Sequence, residues 1–258
     1  MSQQKSNSER TRKSKRRKVK SLARRFQSAI FRHTWLLPLL MVITIVSGYL
    51  VNPSEQNPLH PLLYLSYPIE SSAKSGAPIQ YGKGARDFAF VGFYTIVLTF
   101  TREFIMQRIL RPLAIKAGMK TRGKQARFME QPYTAIYFGF LGPLGLYVMK
   151  QTPVWYFDTD GMYETFPHRT QLAEVKTYYL FQAAYWAQQM IVLLLAQEKP
   201  RKDFKELVAH HVITISLIYL SYAFHFTYMG LAVYTTHDIS DFFLAVCSQL
   251  SMLLKDQY

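Results

Sequence analysis

The chain is predicted to be an all-α, polytopic membrane helical bundle with about six transmembrane helices, and three observations predict it. Six apolar stretches recur along the 258 residues. The number of cationic residues between them alternates. An adjacent histidine pair and two aspartates lie inside the last two stretches, where packing alone does not account for them. Hydrophobic residues make up 49% of the chain, yet its mean hydropathy is near zero, because charged and apolar residues are segregated along it.

Residues 1–32 hold twelve Lys and Arg against one acid, Glu9. A run like this offers too little apolar surface to offset the entropy of ordering and reads as a disordered cytosolic tail. Its last part, 19–31, has the composition of a short surface helix. Apolar stretches follow at 34–51, 88–101, 132–149, 177–196, 207–224 and 228–254. Most approach the length of about 20 residues that crosses a hydrocarbon layer. The second is short and recruits Phe104 to Met106, with Arg102 and Glu103 near its end. The chain divides into the tail (1–32), the first two spans with a lumenal and a cytosolic loop (33–127), and a partial domain carrying the motif below (128–258).

Lysine and arginine accumulate in the short loops on the cytoplasmic side of a membrane. The tail and the loops 52–87, 102–127, 150–172 and 197–206 hold 12, 3, 8, 2 and 4 of them, the alternation of a polytopic protein with a cytosolic N-terminus. The formal charge of +15 is thereby explained by anionic lipid headgroups. Nucleic acid is not an expected partner, since phosphate binding needs a soluble basic face. A secretory signal peptide is excluded by the long basic region and by 34–51, which is long enough to remain as an anchor. Cys247 is alone, so the chain holds no intrachain disulfide, zinc cluster or thioredoxin-like pair, and its place in the last span suggests a small packing residue. The Pro-, Ser- and Gly-containing loop 52–84 reads as lumenal and irregular. Trp155, Tyr156 and Tyr163 fit an aromatic belt at the interface.

His210 and His211 sit in the fifth stretch, Asp238 and Asp241 in the sixth. An acidic residue at the middle of a membrane helix costs about 2.5–3.5 kcal/mol, so two ask for roughly 5–7 kcal/mol of compensation. The default reading is a functional site. If the two stretches form an antiparallel hairpin turning near Phe226, His211 and Asp241 each lie fifteen residues from the turn, at equal depth about 22 Å away. Asp238 and Asp241, at i and i+3, share a face. The two histidines are about 100° apart, so one of them faces the carboxylates. This layer is near the basic 197–206 loop, where a soluble activated substrate enters from the cytosol and a lipid partner from the bilayer.

On the fourth stretch Tyr178, Gln182, Tyr185 and Gln189 recur at helical spacing. They read as interhelical hydrogen-bonding residues or as the lining of a substrate cavity. Arg201, Lys202 and Lys205 offer phosphate-gripping charge, though ordinary cytosolic bias accounts for them too. His225, at the turn, and His237, beside the motif, read as structural. One adjacent histidine pair lacks the spaced clusters of membrane di-iron enzymes, so no metal is expected.

The ordered series from His210 to Asp241, with Thr214, Phe224-His225-Phe226-Thr227, Met229-Gly230 and Asp238-x-x-Asp241, resembles the longevity-assurance motif of the ceramide synthases, within the TLC domain. Glu198 to Phe204 and Lys176-x-Tyr178-Tyr179-Leu180 are similar too, closest to the fungal branch. The resemblance implies acyl-CoA-dependent N-acylation of a sphingoid base to ceramide or dihydroceramide in the endoplasmic reticulum. It implies acyl-CoA as co-substrate and no cofactor, with dimers and a small regulatory subunit as partners. It implies His210, His211, Asp238 and Asp241 as the catalytic residues. A thioester is already activated, so the amine needs deprotonation and positioning. Histidine serves as general base or as a nucleophile carrying the acyl group. The family continues with a lysine where Ser248 stands and then runs through a further span, so this chain is expected to be C-terminally shortened. The competing class is an inactive TLC protein that handles lipids or assists translocation.

Overall fold

The computed structural model describes residues 33–69, 78–155, 158–164, 166–195 and 204–255. The basic tail, with the surface helix expected at 19–31, Tyr156, and Arg201 and Lys202 lie outside the described residues. The helices run in order as α1 (Leu36–Val51), the single turn α2 (His60–Leu63), α3 (Arg86–Ile105), α4 (Arg111–Lys116), α5 (Arg122–Lys150), α6 (Ala173–Leu195), α7 (Phe204–Ala223) and α8 (Thr227–Lys255). Each of the six apolar stretches coincides with one of them to within two residues at its ends or lies inside it. Among the described residues two segments are long and apolar enough to cross a bilayer, α3 continued through α4 (Arg86–Lys116) and α7, while α1 is apolar but shorter. The six-span count is thus not established. The physical reason is that α5, α6 and α8 carry the polar residues that bind the helices to one another, which lowers their hydropathy.

Local sequence accounts for the irregularities. A π-helical segment, Met106–Leu110, joins α3 to α4, and Pro112 just beyond it has no N–H to give to the preceding turn. The hydroxyl of Thr121 caps α5 by accepting from the Lys124 amide at 3.4 Å. α8 lies along the length of α5, α3 lies on α6, and α7 rests on α6 and α8. Tyr133, Tyr137, Phe138 and Leu141 of α5 meet Tyr178, Tyr179 and Tyr185 of α6 and Leu231 and Tyr234 of α8 in one core. The bare backbone of Gly145 allows a close approach: a Cβ there would lie 2.5 Å from the Tyr178 hydroxyl and 3.1 Å from Thr235 Oγ1. Outward faces are apolar, with Phe140, Ile213, Leu217 and Leu244 all exposed, as hydrocarbon surroundings require.

Two expectations change. The 52–84 loop is not wholly irregular, because Pro68–Ile69 (β1) and Gln80–Tyr81 (β2) pair antiparallel, and β2 pairs with Gln171–Leu172 (β3) just before α6. Cys247 is exposed on α8 instead of packed, because α8 turns its other faces to α5 and α7.

At the same end of the bundle as this sheet, Lys176 is fully buried. Its Nζ stands 2.7 Å from Asp87 Oδ1 and donates to the carbonyls of Ser66 (2.9 Å) and Gly82 (2.7 Å). Asp87 Oδ2 accepts from the Gly84 amide at 2.9 Å and from the Tyr222 hydroxyl at 2.8 Å. One ion pair thus ties α3, α6, α7 and the sheet together. Removing one partner of such a pair leaves a buried charge uncompensated. Lys176→Met is expected to lower unfolding stability in micelles by about 3–5 kcal/mol, and Asp87→Asn in the same chain to recover part of the loss. A double variant as unstable as the single one contradicts the pairing.

Candidate functional site

α7 and α8 form the expected antiparallel hairpin, separated by the three residues 224–226. His225 holds a left-handed φ of 67° in that turn, and its carbonyl accepts from the His168 amide at 3.3 Å. The chain reverses there because Phe226 N bonds back to Ser221 O at 2.8 Å. The hairpin brings the histidine and aspartate layers together, since a cavity of about 390 Å³ is walled by His210 and Thr214 of α7 and by His237, Asp238 and Asp241 of α8. Its remaining wall is mostly apolar, with Ile213, Leu217, Met229 and Val233, and it reaches Gly230 and Ser221 near the turn. From Asp241 to Gly230 is about 16 Å along the helix. The space therefore has one polar end, near the basic loop, and a long hydrocarbon wall.

The two aspartates have different surroundings. Asp238 is 1% exposed. Its Oδ2 accepts from the Tyr178 hydroxyl at 2.8 Å and from the Gln182 amide nitrogen. Gln182 also donates to the Tyr178 oxygen at 3.0 Å and accepts from the Tyr137 hydroxyl at 3.3 Å. The carboxylate thus ends a run of donors crossing from α5 through α6 to α8, which compensates its burial. Asp241, one turn on, is half-buried, and among the described residues no side chain donates to it. His237 and His210 line the same cavity.

The histidines also divide. His210 is exposed and lines the cavity. His211 is the one buried residue of α7. Its Nδ1 lies 2.9 Å from the Leu207 carbonyl. A carbonyl only accepts, so Nδ1 carries the hydrogen and the neutral ring keeps its lone pair on Nε2. Trp186 of α6 stands edge-on to both rings, 6.0 Å from His210 and 5.7 Å from His211.

On α6, Tyr178 and Gln182 serve the carboxylate, and Tyr185 stacks on Tyr137 with ring centroids 3.6 Å apart. Gln189 is half-buried outside this cluster. The neighbouring face, Tyr179 and Trp186, is the one that meets the cavity. Lys205 is exposed on the first turn of α7. Sequence reasoning set His237 aside as structural, and it passed over Trp186. The signal for His237 was its spacing of four from Asp241, which places both on one helix face. Trp186 had no such signal, because it is the packing of α6 on α7 that brings it to the histidines.

The TLC domain pattern matches residues 127–258. The chain is similar to the sphingosine N-acyltransferase-like protein FUM17 of Gibberella moniliformis, 53% identical over 229 residues that cover 88% of this chain and 59% of that one. It is similar to the sphingosine N-acyltransferase lac1 of Schizosaccharomyces pombe, at 48% over 92% of this chain and 61% of that one. It is similar to the ceramide synthase LAG1 of Saccharomyces cerevisiae, at 45% over 86% and 53%. The chain therefore spans about three fifths of the length of these relatives.

The position of Tyr178 under Asp238 depends on Gly145. Gly145→Ala is expected to push the tyrosine off the carboxylate and to cost about 1–3 kcal/mol through overpacking. Tyr178→Phe removes the nearest contacted atom, so the double variant is expected to melt above Gly145→Ala alone. Thermal unfolding in detergent checks both.

Proposed function

Because the chain belongs to the TLC-domain family, we propose that it transfers the acyl group of an acyl-CoA to the amine of a sphingoid base, forming ceramide or dihydroceramide in the endoplasmic reticulum membrane. The observation that carries this reading is the cavity between α7 and α8, which presents His210 and Asp241 at one end of a hydrocarbon wall about 16 Å long. A long-chain amphiphile with a reactive head matches that shape. The same proposal includes a six-span topology with the N-terminus and the basic loops in the cytosol, supported by the 12, 3, 8, 2, 4 alternation. Acyl-CoA then approaches the end near Lys205, with Arg201 and Lys202 beside it in sequence as phosphate partners. Dimers and a small regulatory subunit enter only through the family resemblance.

In this mechanism the amine nitrogen attacks the thioester carbonyl carbon. The carbon–nitrogen bond forms and the carbon–sulfur bond breaks. The amine proton passes to the imidazole of His210 and leaves with the thiol of coenzyme A. Asp241 stabilises the imidazolium. Asp238, held by Tyr178 and Gln182, sets the register of α8 that keeps Asp241 in the cavity. His211 and Trp186 position the His210 ring from below.

Membranes carrying the chain, supplied with sphinganine and acyl-CoAs of several lengths, are expected to form ceramide. His210→Ala and Asp241→Ala are expected to reduce the rate by about 10²–10⁴. The unaltered chain making no product, or activity that persists in both variants, contradicts the reading and favours a lipid-handling role. Incubation with acyl-CoA alone, followed by mass spectrometry, separates the two roles of histidine. An unacylated protein is expected for a general base, and a histidine-linked acyl group identifies a nucleophile.

A further inference from the structure

A second space lies on the neighbouring face of α7, sharing Tyr179 and Ile218 as a wall with the catalytic cavity. Its volume is about 560 Å³. α3, α6 and α7 wall it with apolar side chains such as Val91, Ala183 and Ile215, and it is capped at one end by Lys83, Asp87 and His225. Between Tyr179 and Ala187 the wall runs about 12 Å along α6. The rim opens outward between Phe88 and Tyr219, which are 65% and 54% exposed with ring centroids 6.2 Å apart. The proposed acyl transfer uses nothing in this space.

The cap decides what fits. Lys83 and Lys176 are two ammonium groups beside one carboxylate, Asp87, and Lys176 takes it at 2.7 Å. Lys83 donates to the Tyr222 carbonyl at 3.0 Å and to Thr227 Oγ1 at 2.7 Å, which leaves a third N–H. Burial and the Lys176 charge lower Lys83 to about 8, so at neutral pH it remains mostly cationic. The charged or titratable groups that reach His225 are Lys83, Arg169 and His168, all basic. Its Nδ1 is buried and has no hydrogen-bond partner among the described residues. The cap therefore holds excess positive charge and unused polar capacity directly above a hydrocarbon slot. A cationic amine head is repelled there, whereas an oxyanion is attracted.

We propose that this groove holds one acyl chain of a membrane phospholipid whose phosphate rests on Lys83 and His225. The second chain of that lipid lies in the bilayer beyond Phe88 and Tyr219. The site stands at the end of the bundle opposite the catalytic residues and does not depend on the acyl-transfer reading.

The test uses the full chain purified in detergent and loaded with dioleoyl phosphatidylglycerol, with dioleoylglycerol, which has the same chains and no phosphate, or with sphinganine, whose head is cationic. Native mass spectrometry reads what is retained. One phosphatidylglycerol per chain is expected, with at least about tenfold less of the other two. Lys83→Gln is expected to reduce retention about tenfold. Ala183→Phe fills the slot while leaving the bonds of Lys83 untouched, and is expected to abolish retention with unchanged helix content. If Lys83→Gln fails to fold, Ala183→Phe alone decides the question. Dioleoylglycerol or sphinganine held as well as phosphatidylglycerol, or an Ala183→Phe chain that binds like the unaltered one, overturns the proposal.

Discussion

The carboxylate of Asp238, buried at the contact of three helices, is the constraint around which the bundle is arranged. A charge in that position is tolerated only if donors reach it, and the donors come from elsewhere in the chain: Tyr178 and Gln182 on α6, with Tyr137 on α5 holding Gln182. Satisfying one oxygen therefore fixes the rotation of α6 and α8 and their relative height. It also requires the backbone of α5 to come close, which is why a glycine stands at 145. With α8 locked in this rotation, Asp241 turns one helical step away from the lock and into the cavity with His210. The more buried aspartate, Asp238, is the one bonded to α6. The more accessible one borders the cavity.

The opposite end of the bundle is organised by a second buried charge. Lys176 and Asp87 connect α6 to α3 and to the small sheet, and the Tyr222 hydroxyl draws the end of α7 into the same junction. α7 needs this attachment, because His211 is its only buried residue and its other faces turn to hydrocarbon or to cavities. A helix held at its ends and hollow along its sides can border two lipid-sized spaces at once. The two are separated by little more than Tyr179 and Ile218.

Much of this was legible in the residues. The turn at 224–226 and the equal spacing of His211 and Asp241 from it follow from helix rise alone, and the structure has that hairpin. The pair Asp238 and Asp241 shares a face because three residues nearly complete a turn. The histidine pair was legible only as an alternative: adjacency implies that one ring faces the carboxylates, but not which. His237 was undervalued because a lone histidine beside a motif looks like many structural ones. The sheet formed by 68–69, 80–81 and 171–172 left no trace in composition, since strands of two residues have no periodicity to read.

Sequence by itself determined the helical class, the order of the main helices, the hairpin turn and the residue types at its polar level, because each depends on local hydropathy, spacing and the fixed rise of a helix. Tertiary structure alone decided that His210 lines the cavity while His211 is buried outside its lining, that Asp238 is bound and Asp241 open, and that Tyr179 and Trp186 border the cavity instead of Tyr178 and Gln182. Those outcomes depend on the rotation of one helix against another. That rotation is set by which distant side chains satisfy a buried charge, and no local pattern encodes it.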